Sequence, residues 1–175
     1  MRKLILLSAP LALLASPAMA QSTSVTGTVD INGSVAGRCM FTVPNKTISL
    51  GEISLASNGK LDVSKVNGRS ETLTGWCNNT TASMTVTSTA LTNSTTAPTG
   101  FDNRVDYTAT AVTGSTSAND TSLTAGAGAA SNVGLFTGNI VVTLSNASSP
   151  TNGLMVAGTY NGNVVVTLTP TVIVG

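Results

Sequence analysis

Residues 22–35 read STSVTGTVDINGSV, and the interpretation of the whole chain depends on this stretch. Asp30 is its single charged residue. A period of two over this length is typical of a β-strand with one buried face. The residues that would share this face are Val25, Gly27, Val29, Ile31, Gly33 and Val35. The question is whether the strand completes the core of its own domain or that of a neighbour.

The first twenty residues have the pattern of a secretory signal. Arg2 and Lys3 precede an apolar run over residues 4–14, and residues 18–20 (AMA) form a small-x-small cleavage motif. The run is too short for a transmembrane helix. The sequence therefore predicts a signal peptide over residues 1–20, export, and no insertion in the membrane.

The composition argues against a nucleic-acid partner and in favour of self-association. The formal net charge is +1, and charged residues make up 9% of the chain. No basic patch of the kind that binds nucleic acid is present. A surface with so few charges is poorly protected against association with other copies. This composition suits a subunit that polymerises better than it suits a soluble monomer.

Two cysteines, Cys39 and Cys77, follow the signal. In an exported chain the expected state is one disulfide, and a loop of this length gives about 4 kcal/mol in the chain-entropy model. The alternative is a reactive or metal-binding thiol pair. It is disfavoured because the chain has no histidine and the spacing is not CxxC. We therefore expect no metal and no cofactor.

Beyond residue 36 the period-two pattern recurs in short segments separated by Gly, Asn and Pro. Seven or eight such strands predict an all-β fold, an antiparallel β-sandwich over residues 37–175. Residues 113–131 are small and polar and are expected to form a flexible surface loop. The predicted strands lie at residues 38–43, 47–55, 60–66, 71–77, 84–90, 105–111, 139–144 and 163–169.

Catalytic patterns are missing from the sequence. Without histidine, neither a serine–imidazole nor a thiol–imidazole arrangement can form. The seven acidic residues are scattered. Asp102 and Asp106 could pair, but solvated positions in turns and edge strands are the expected locations. The sequence therefore predicts a protein that is not an enzyme.

Taken together, these features resemble those of chaperone–usher pilins. The shared features are the signal, the alternating extension, the pair Cys39 and Cys77, and a last segment AGTYNGNVVVTLTP at residues 157–170. That segment is similar to the final strand of the spore coat protein U-like branch, which includes the archaic pilus subunits. The residues that carry this similarity are Ala157, Gly158, Thr159, Tyr160, Val164, Val166 and Leu168. Many pilins stop at a penultimate Tyr, whereas this chain continues through Pro170 to Val174.

The resemblance implies an incomplete immunoglobulin-like sandwich that lacks its seventh strand. In such pilins a periplasmic chaperone first supplies a strand to the subunit in place of the missing one. At an outer-membrane usher, the N-terminal extension of the next subunit then replaces it. Residues 21–36 would be this donor strand. The last strand of the acceptor groove would contribute Tyr160, Val164, Val166 and Leu168. The product would be a homopolymer, an extracellular fibre that supports adhesion or biofilm formation.

Burial of the apolar donor residues would stabilise such a contact. Val25, Val29, Ile31 and Val35 together would contribute roughly 6–12 kcal/mol, much of it offset by the ordering of the strand. The alternative is that residues 22–35 are the first strand of their own domain. The protein would then be a soluble periplasmic or secreted β-sandwich binding module. Both interpretations remain open from the sequence.

Overall fold

The structure, a computed structural model, describes residues 23–171. The predicted signal peptide therefore lies outside the described residues. Within this range the chain is built from β-strands, one 3-10 turn at Val63–Lys65 and no α-helix, which confirms the predicted all-β class. The strands are β1 (Cys39–Val43), β2 (Ser70–Cys77), β3 (Ser83–Ser88), β4 (Leu91–Thr92), β5 (Phe101–Asp102), β6 (Arg104–Thr113), β7 (Thr116–Thr121), β8 (Ser131–Asn132), β9 (Phe136–Ser148), β10 (Leu154–Met155) and β11 (Val164–Thr169).

The chain divides into two units, with the division between Ser34 and Val35. In the first unit, residues 23–34 are exposed and form no strand. The second unit holds every strand described above. Between residues 23 and 171 no helix is long and apolar enough to cross a bilayer.

The larger sheet has the order β1–β2–β9–β6, and β4 and β7 both pair with β6. All these pairings are antiparallel. The long strand β9 lies at the centre, where Ile140, Val142 and Leu144 are buried and the residues between them are more exposed. This alternation places one face of the sheet toward a core and the other toward solvent.

A smaller antiparallel sheet, β11–β3–β8, covers the inner face of the larger one in a sandwich-like arrangement. A two-residue parallel pair joins β10 to β5. The core contains both large and small side chains, so the two layers can approach closely. Its members from the two sheets include Met84, Val86, Tyr107, Ala109, Ala111, Ile140, Val142, Leu144 and Val166.

Two predicted strands are wrong. Residues 47–55 form no strand; Ile48 and Leu50 still pack against the core, but Gly51 takes φ +69° and interrupts the extended chain. Residues 60–66 make two isolated bridges and then the 3-10 turn. Asp62 caps that turn by accepting a hydrogen bond from Ser64 N at 3.1 Å. Alternating burial therefore occurs here without a continuous ladder of main-chain hydrogen bonds.

The predicted flexible loop over residues 113–131 is also wrong in part. Its first half continues as β7, which pairs with β6 from Thr113↔Thr116 to Thr108↔Thr121. Ala118 of β7 is buried in the core. Asp120 is also buried, and its carboxylate accepts a hydrogen bond from Ser88 N at 2.7 Å. This bond joins β7 to β3 and stabilises β7, which has few apolar side chains to bury.

Candidate functional site: the open edge of the last strand

The last strand, β11, lies at an edge of the smaller sheet. It pairs with β3 from Val164↔Ser88 to Thr169↔Ser83. No other strand among residues 23–171 pairs with its second side. Val166 is buried and Val164 and Leu168 are half-buried against the core, whereas Val165 is 48% exposed. The apolar residues predicted for this strand therefore share one face, the face toward the core.

The same three residues present main-chain groups at the open edge. Thr89 N donates to Asn163 O at 2.9 Å, and Asn163 N donates to Thr89 Oγ1 at 2.9 Å, so Asn163 and Thr89 face each other as a hydrogen-bonded pair just beyond the antiparallel ladder. Such pairs alternate along the ladder with pairs that make no mutual hydrogen bonds. The N–H and C=O groups of Val164, Val166 and Leu168 therefore point away from β3. These are the groups to which an added strand would hydrogen-bond.

A cleft of about 280 Å³ opens beside the start of β11. The residues at its floor belong to the main core, so that core reaches the surface here. Lys46 and Glu71 are its charged lining residues. Most of the remaining lining is apolar, and it includes Ile48, Leu50, Leu73, Leu91, Tyr107, Val142, Leu144 and Val164. The cleft can therefore accept apolar side chains from a strand laid along β11.

Tyr107 joins the two sheets at the floor of this cleft. Its hydroxyl lies 2.7 Å from Thr89 O and 3.1 Å from Asn163 O. Burial, with a contribution from the nearby charge of Asp120, raises the pKa of Tyr107 to about 12. The phenol therefore stays protonated, and a donor, at neutral pH.

Tyr160 lies apart from the other predicted groove residues. It packs against a second apolar cluster of Ile53, Leu61 and Val105. Its hydroxyl donates to Val156 O at 2.9 Å. The structure thus brings Val164, Val166 and Leu168 together on β11 and places Tyr160 in the loop before that strand.

The predicted donor residues are all solvent-exposed. Val25, Val29, Ile31 and Val35 expose 93%, 85%, 91% and 88% of their surface. Gly27 and Gly33 have no neighbouring atom within 4 Å of the position that a Cβ would occupy. Residues 23–38 take part in no strand. The segment therefore carries unburied apolar side chains at every second or fourth residue.

The disulfide between Cys39 and Cys77 is present, as predicted, with an S–S distance of 2.05 Å. The two residues are directly opposite each other in the β1–β2 ladder. The bond fixes the start of β1, immediately after the exposed segment. Within residues 23–171 no cluster of three or more His, Cys, Asp or Glu side chains could hold a metal ion.

Sequence reasoning missed the asparagine contacts next to this disulfide. Asn79, 2% exposed, donates from Nδ2 to Thr171 O at 2.6 Å. Asn78 accepts from Arg38 N and donates to Ala36 O at 3.1 Å. These contacts tie the start of β1 to the chain that follows β11. The doublet Asn78-Asn79 after Cys77 is the only sequence signal for them, and it also fits an ordinary turn.

The expectation that Asp102 and Asp106 are solvated is wrong, because each is only 4% exposed. They do not pair with each other. Asp106 accepts from Arg104 at 2.7 Å and from Ser122 Oγ at 2.9 Å. Asp102 accepts from Gly153 N at 2.8 Å and from Thr151 Oγ1 at 2.9 Å. Both carboxylates hold loops in place, which accounts for their burial without assigning them chemistry.

Comparison of the chain with protein-family models, with curated proteins and with solved structures finds no match.

Proposed function

We propose that this protein is a structural subunit of an extracellular fibre and that it polymerises by donor-strand exchange. The N-terminal segment of one copy adds to the open edge of β11 in the next. An immunoglobulin-like sandwich completed in this way would form a homopolymer that supports adhesion or biofilm formation. A periplasmic chaperone and an outer-membrane usher would handle the subunit before assembly.

The observation that carries the proposal is the unpaired edge of β11, which lies beside a cleft where the core reaches the surface. Val164, Val166 and Leu168 face the core, and their main-chain groups have no partner strand among the described residues. An exposed apolar edge of this kind leads to aggregation unless another strand covers it. Addition of a strand from a second copy would provide hydrogen-bond partners for the main-chain groups of this edge and would cover the cleft.

The N-terminal segment has the alternating apolar residues that a strand added at this edge requires. Its four apolar residues lie at positions of the same parity, so in an extended strand they would share one face. Their exposure of 85% or more leaves almost their full surface to be buried. The segment's only charge, Asp30, would lie on the opposite face of that strand.

The test is an SDS gel of material sheared from the native cell surface, loaded unheated and boiled. The proposal predicts high-mass species that collapse on boiling to one band at the monomer mass, since the polymer is non-covalent and kinetically stable. A monomer band in both lanes would contradict it. The self-contained binding module would then be the better description.

Deletion of residues 21–35 provides the matched control. A polymer subunit without this segment should retain its folded domain and its disulfide but fail to add to a fibre. A binding module that uses the segment as its own strand should instead lose stability. Circular dichroism melting of the deleted and full chains separates these results.

A further inference from the structure

The chain contains five Asn-Gly pairs, and one of them differs from the rest. They begin at Asn32, Asn58, Asn67, Asn152 and Asn161. Asn-Gly is the dipeptide most prone to deamidation, because glycine offers no side chain to hinder attack by its own nitrogen. We propose that Asn32-Gly33 is a spontaneous deamidation site of the unassembled chain, and that the other four pairs are protected by the fold.

The reaction needs no enzyme and no cofactor. The main-chain nitrogen of Gly33 loses its proton to solvent base and attacks Cγ of Asn32. A C–N bond forms, the Cγ–Nδ2 bond breaks, and ammonia leaves. Water then opens the cyclic imide at one of its two carbonyls and yields aspartate or isoaspartate. The net change is one water consumed and one ammonia released.

In three of the folded pairs the attacking nitrogen is already hydrogen-bonded. Gly59 N donates to Leu55 O at 2.7 Å, and Gly68 N donates to Leu144 O at 2.8 Å. Gly153 N donates to Asp102 Oδ2 at 2.8 Å. Attack from any of these nitrogens requires that the local structure open first.

Further contacts restrain the asparagines of the folded pairs. Asn58 Oδ1 accepts from Lys60 N at 3.0 Å, and Asn67 Oδ1 accepts from Ala147 N at 2.9 Å. In the fifth pair, Asn161 N donates to Thr92 O at 3.0 Å. The Gly162 that follows is packed so closely that a Cβ would lie 2.8 Å from Ala90 O. These contacts hold the side chains of Asn58 and Asn67 and the main chain of Asn161, which hinders attack by the next nitrogen.

Asn32-Gly33 has no such restraint. Both residues are exposed, and nothing lies within 4 Å of the position of a Gly33 Cβ. Among the described residues, neither the Gly33 nitrogen nor the Asn32 side chain makes a hydrogen bond. The attacking atom and its target are therefore free to meet.

The consequence for the fibre rests on the proposed function. Isoaspartate carries the main chain through Cβ and adds one backbone atom between residues 32 and 33. The side chains on either side then fall out of the period of two, so Val35 can no longer share a face with Val29 and Ile31. Strand pairing would in turn engage the backbone of this segment, so assembled subunits should be protected.

The experiment is incubation of the unassembled full chain in mildly alkaline buffer, followed by peptide mass spectrometry and isoaspartate labelling. We expect Asn32 to deamidate at least about tenfold faster than the other four asparagines, since even modest local stability suppresses opening by that factor. The rate should rise with pH, because the attacking nitrogen must be deprotonated. In urea with the disulfide reduced, all five pairs should react at similar rates. The variant Gly33→Ala should slow the reaction at Asn32 alone.

Equal rates at all five pairs in the native protein would overturn the proposal, as would a native Asn32 that reacts no faster than Asn58. Fibres sheared from cells give a separate result. If unassembled protein deamidates at Asn32 and fibres do not, both the site and the strand pairing are supported. If fibres deamidate as fast as the monomer, the site stands and the donor-strand proposal fails.

Discussion

The hydroxyl of Tyr107 donates a hydrogen bond to the main-chain carbonyl of Thr89, 2.7 Å away, across the interior from one sheet to the other. Tyr107 lies on β6 of the larger sheet, and Thr89 follows β3 of the smaller one. The same hydroxyl lies 3.1 Å from Asn163 O, just before β11. One buried phenol thus fixes the start of the open strand and the floor of the cleft beside it.

Substitution of Tyr107 by Phe should lower the free energy of unfolding by about 0.5–1.5 kcal/mol, because it removes the hydrogen bond that joins the two sheets. Urea denaturation followed by circular dichroism measures this loss. Tyr160→Phe is the matched control, because its hydroxyl lies 2.9 Å from Val156 O and 3.1 Å from Asp102 O of β5 and does not join the larger sheet to the β11–β3–β8 sheet. Equal losses in the two variants would contradict the role assigned to Tyr107.

Alkaline pH should destabilise the wild-type protein through the same residue. The pKa of Tyr107 is raised to about 12 in the fold, above about 10 for a free tyrosine. The stabilisation is complete below pH 10 and is lost as the pH rises toward 12, because the unfolded state deprotonates first. Urea midpoints measured between these pH values should fall more steeply for wild type than for Tyr107→Phe. Parallel slopes would show that another group titrates.

Acid should destabilise the loop that Asp102 holds. Burial opposes ionisation of this carboxyl, but the hydrogen bonds from Gly153 and Thr151 outweigh it and lower its pKa. The stabilisation is present above the unfolded pKa and is lost as the pH falls through the lower, folded value. Asp102→Ala should cost about 1–3 kcal/mol at neutral pH and should show a weaker acid dependence than wild type. Asp30→Ala, at an exposed position, should leave the free energy of unfolding at neutral pH unchanged.

The sequence predicted the strands that alternate clearly and missed those that depend on distant contacts. Val105, Tyr107, Ala109 and Ala111 mark β6 because every second residue is apolar and buried. β7 has only Ala118 as an apolar inward residue, and Asp120 occupies the other buried position. The bond from Ser88 N to Asp120 that makes this burial possible joins residues that are far apart in sequence. A pattern of neighbouring residues therefore does not predict this bond.

The alternation of the last segment predicted which residues of β11 share the face toward the core, and it did not predict the shape of the cleft beside them. Val164, Val166 and Leu168 follow from the alternation of the last segment. The cleft also needs Ile48 and Leu50, which lie in a predicted strand that does not form, since Gly51 takes a positive φ. Tyr160 belongs to another cluster because the loop before β11 turns it away. Such placements depend on loop conformation, which a pattern of apolar residues does not specify.

Removal of the disulfide should destabilise the domain strongly. It closes a loop between residues separated by 38 positions, so the chain-entropy model gives about 4 kcal/mol. The double variant Cys39→Ala with Cys77→Ala should show this loss in urea denaturation, and addition of a reductant should shift only the wild type. A change below about 1 kcal/mol would mean that β1 is held mainly by its ladder with β2.

A charge placed on the apolar face of the N-terminal segment should block assembly and leave the domain intact. Ile31→Asp would bring an unpaired carboxylate into the apolar cleft beside β11, at a cost of several kcal/mol unless it protonates. Thr28→Asp is the matched control, because residue 28 lies on the other face of an extended strand. Both positions are exposed in the subunit, so the two variants should melt at the wild-type temperature. Gels of unheated surface material should show polymer for Thr28→Asp and only monomer for Ile31→Asp. Polymer in both lanes would mean that the face containing Ile31 does not pack into the cleft beside β11. The segment would then join subunits in another way or not at all.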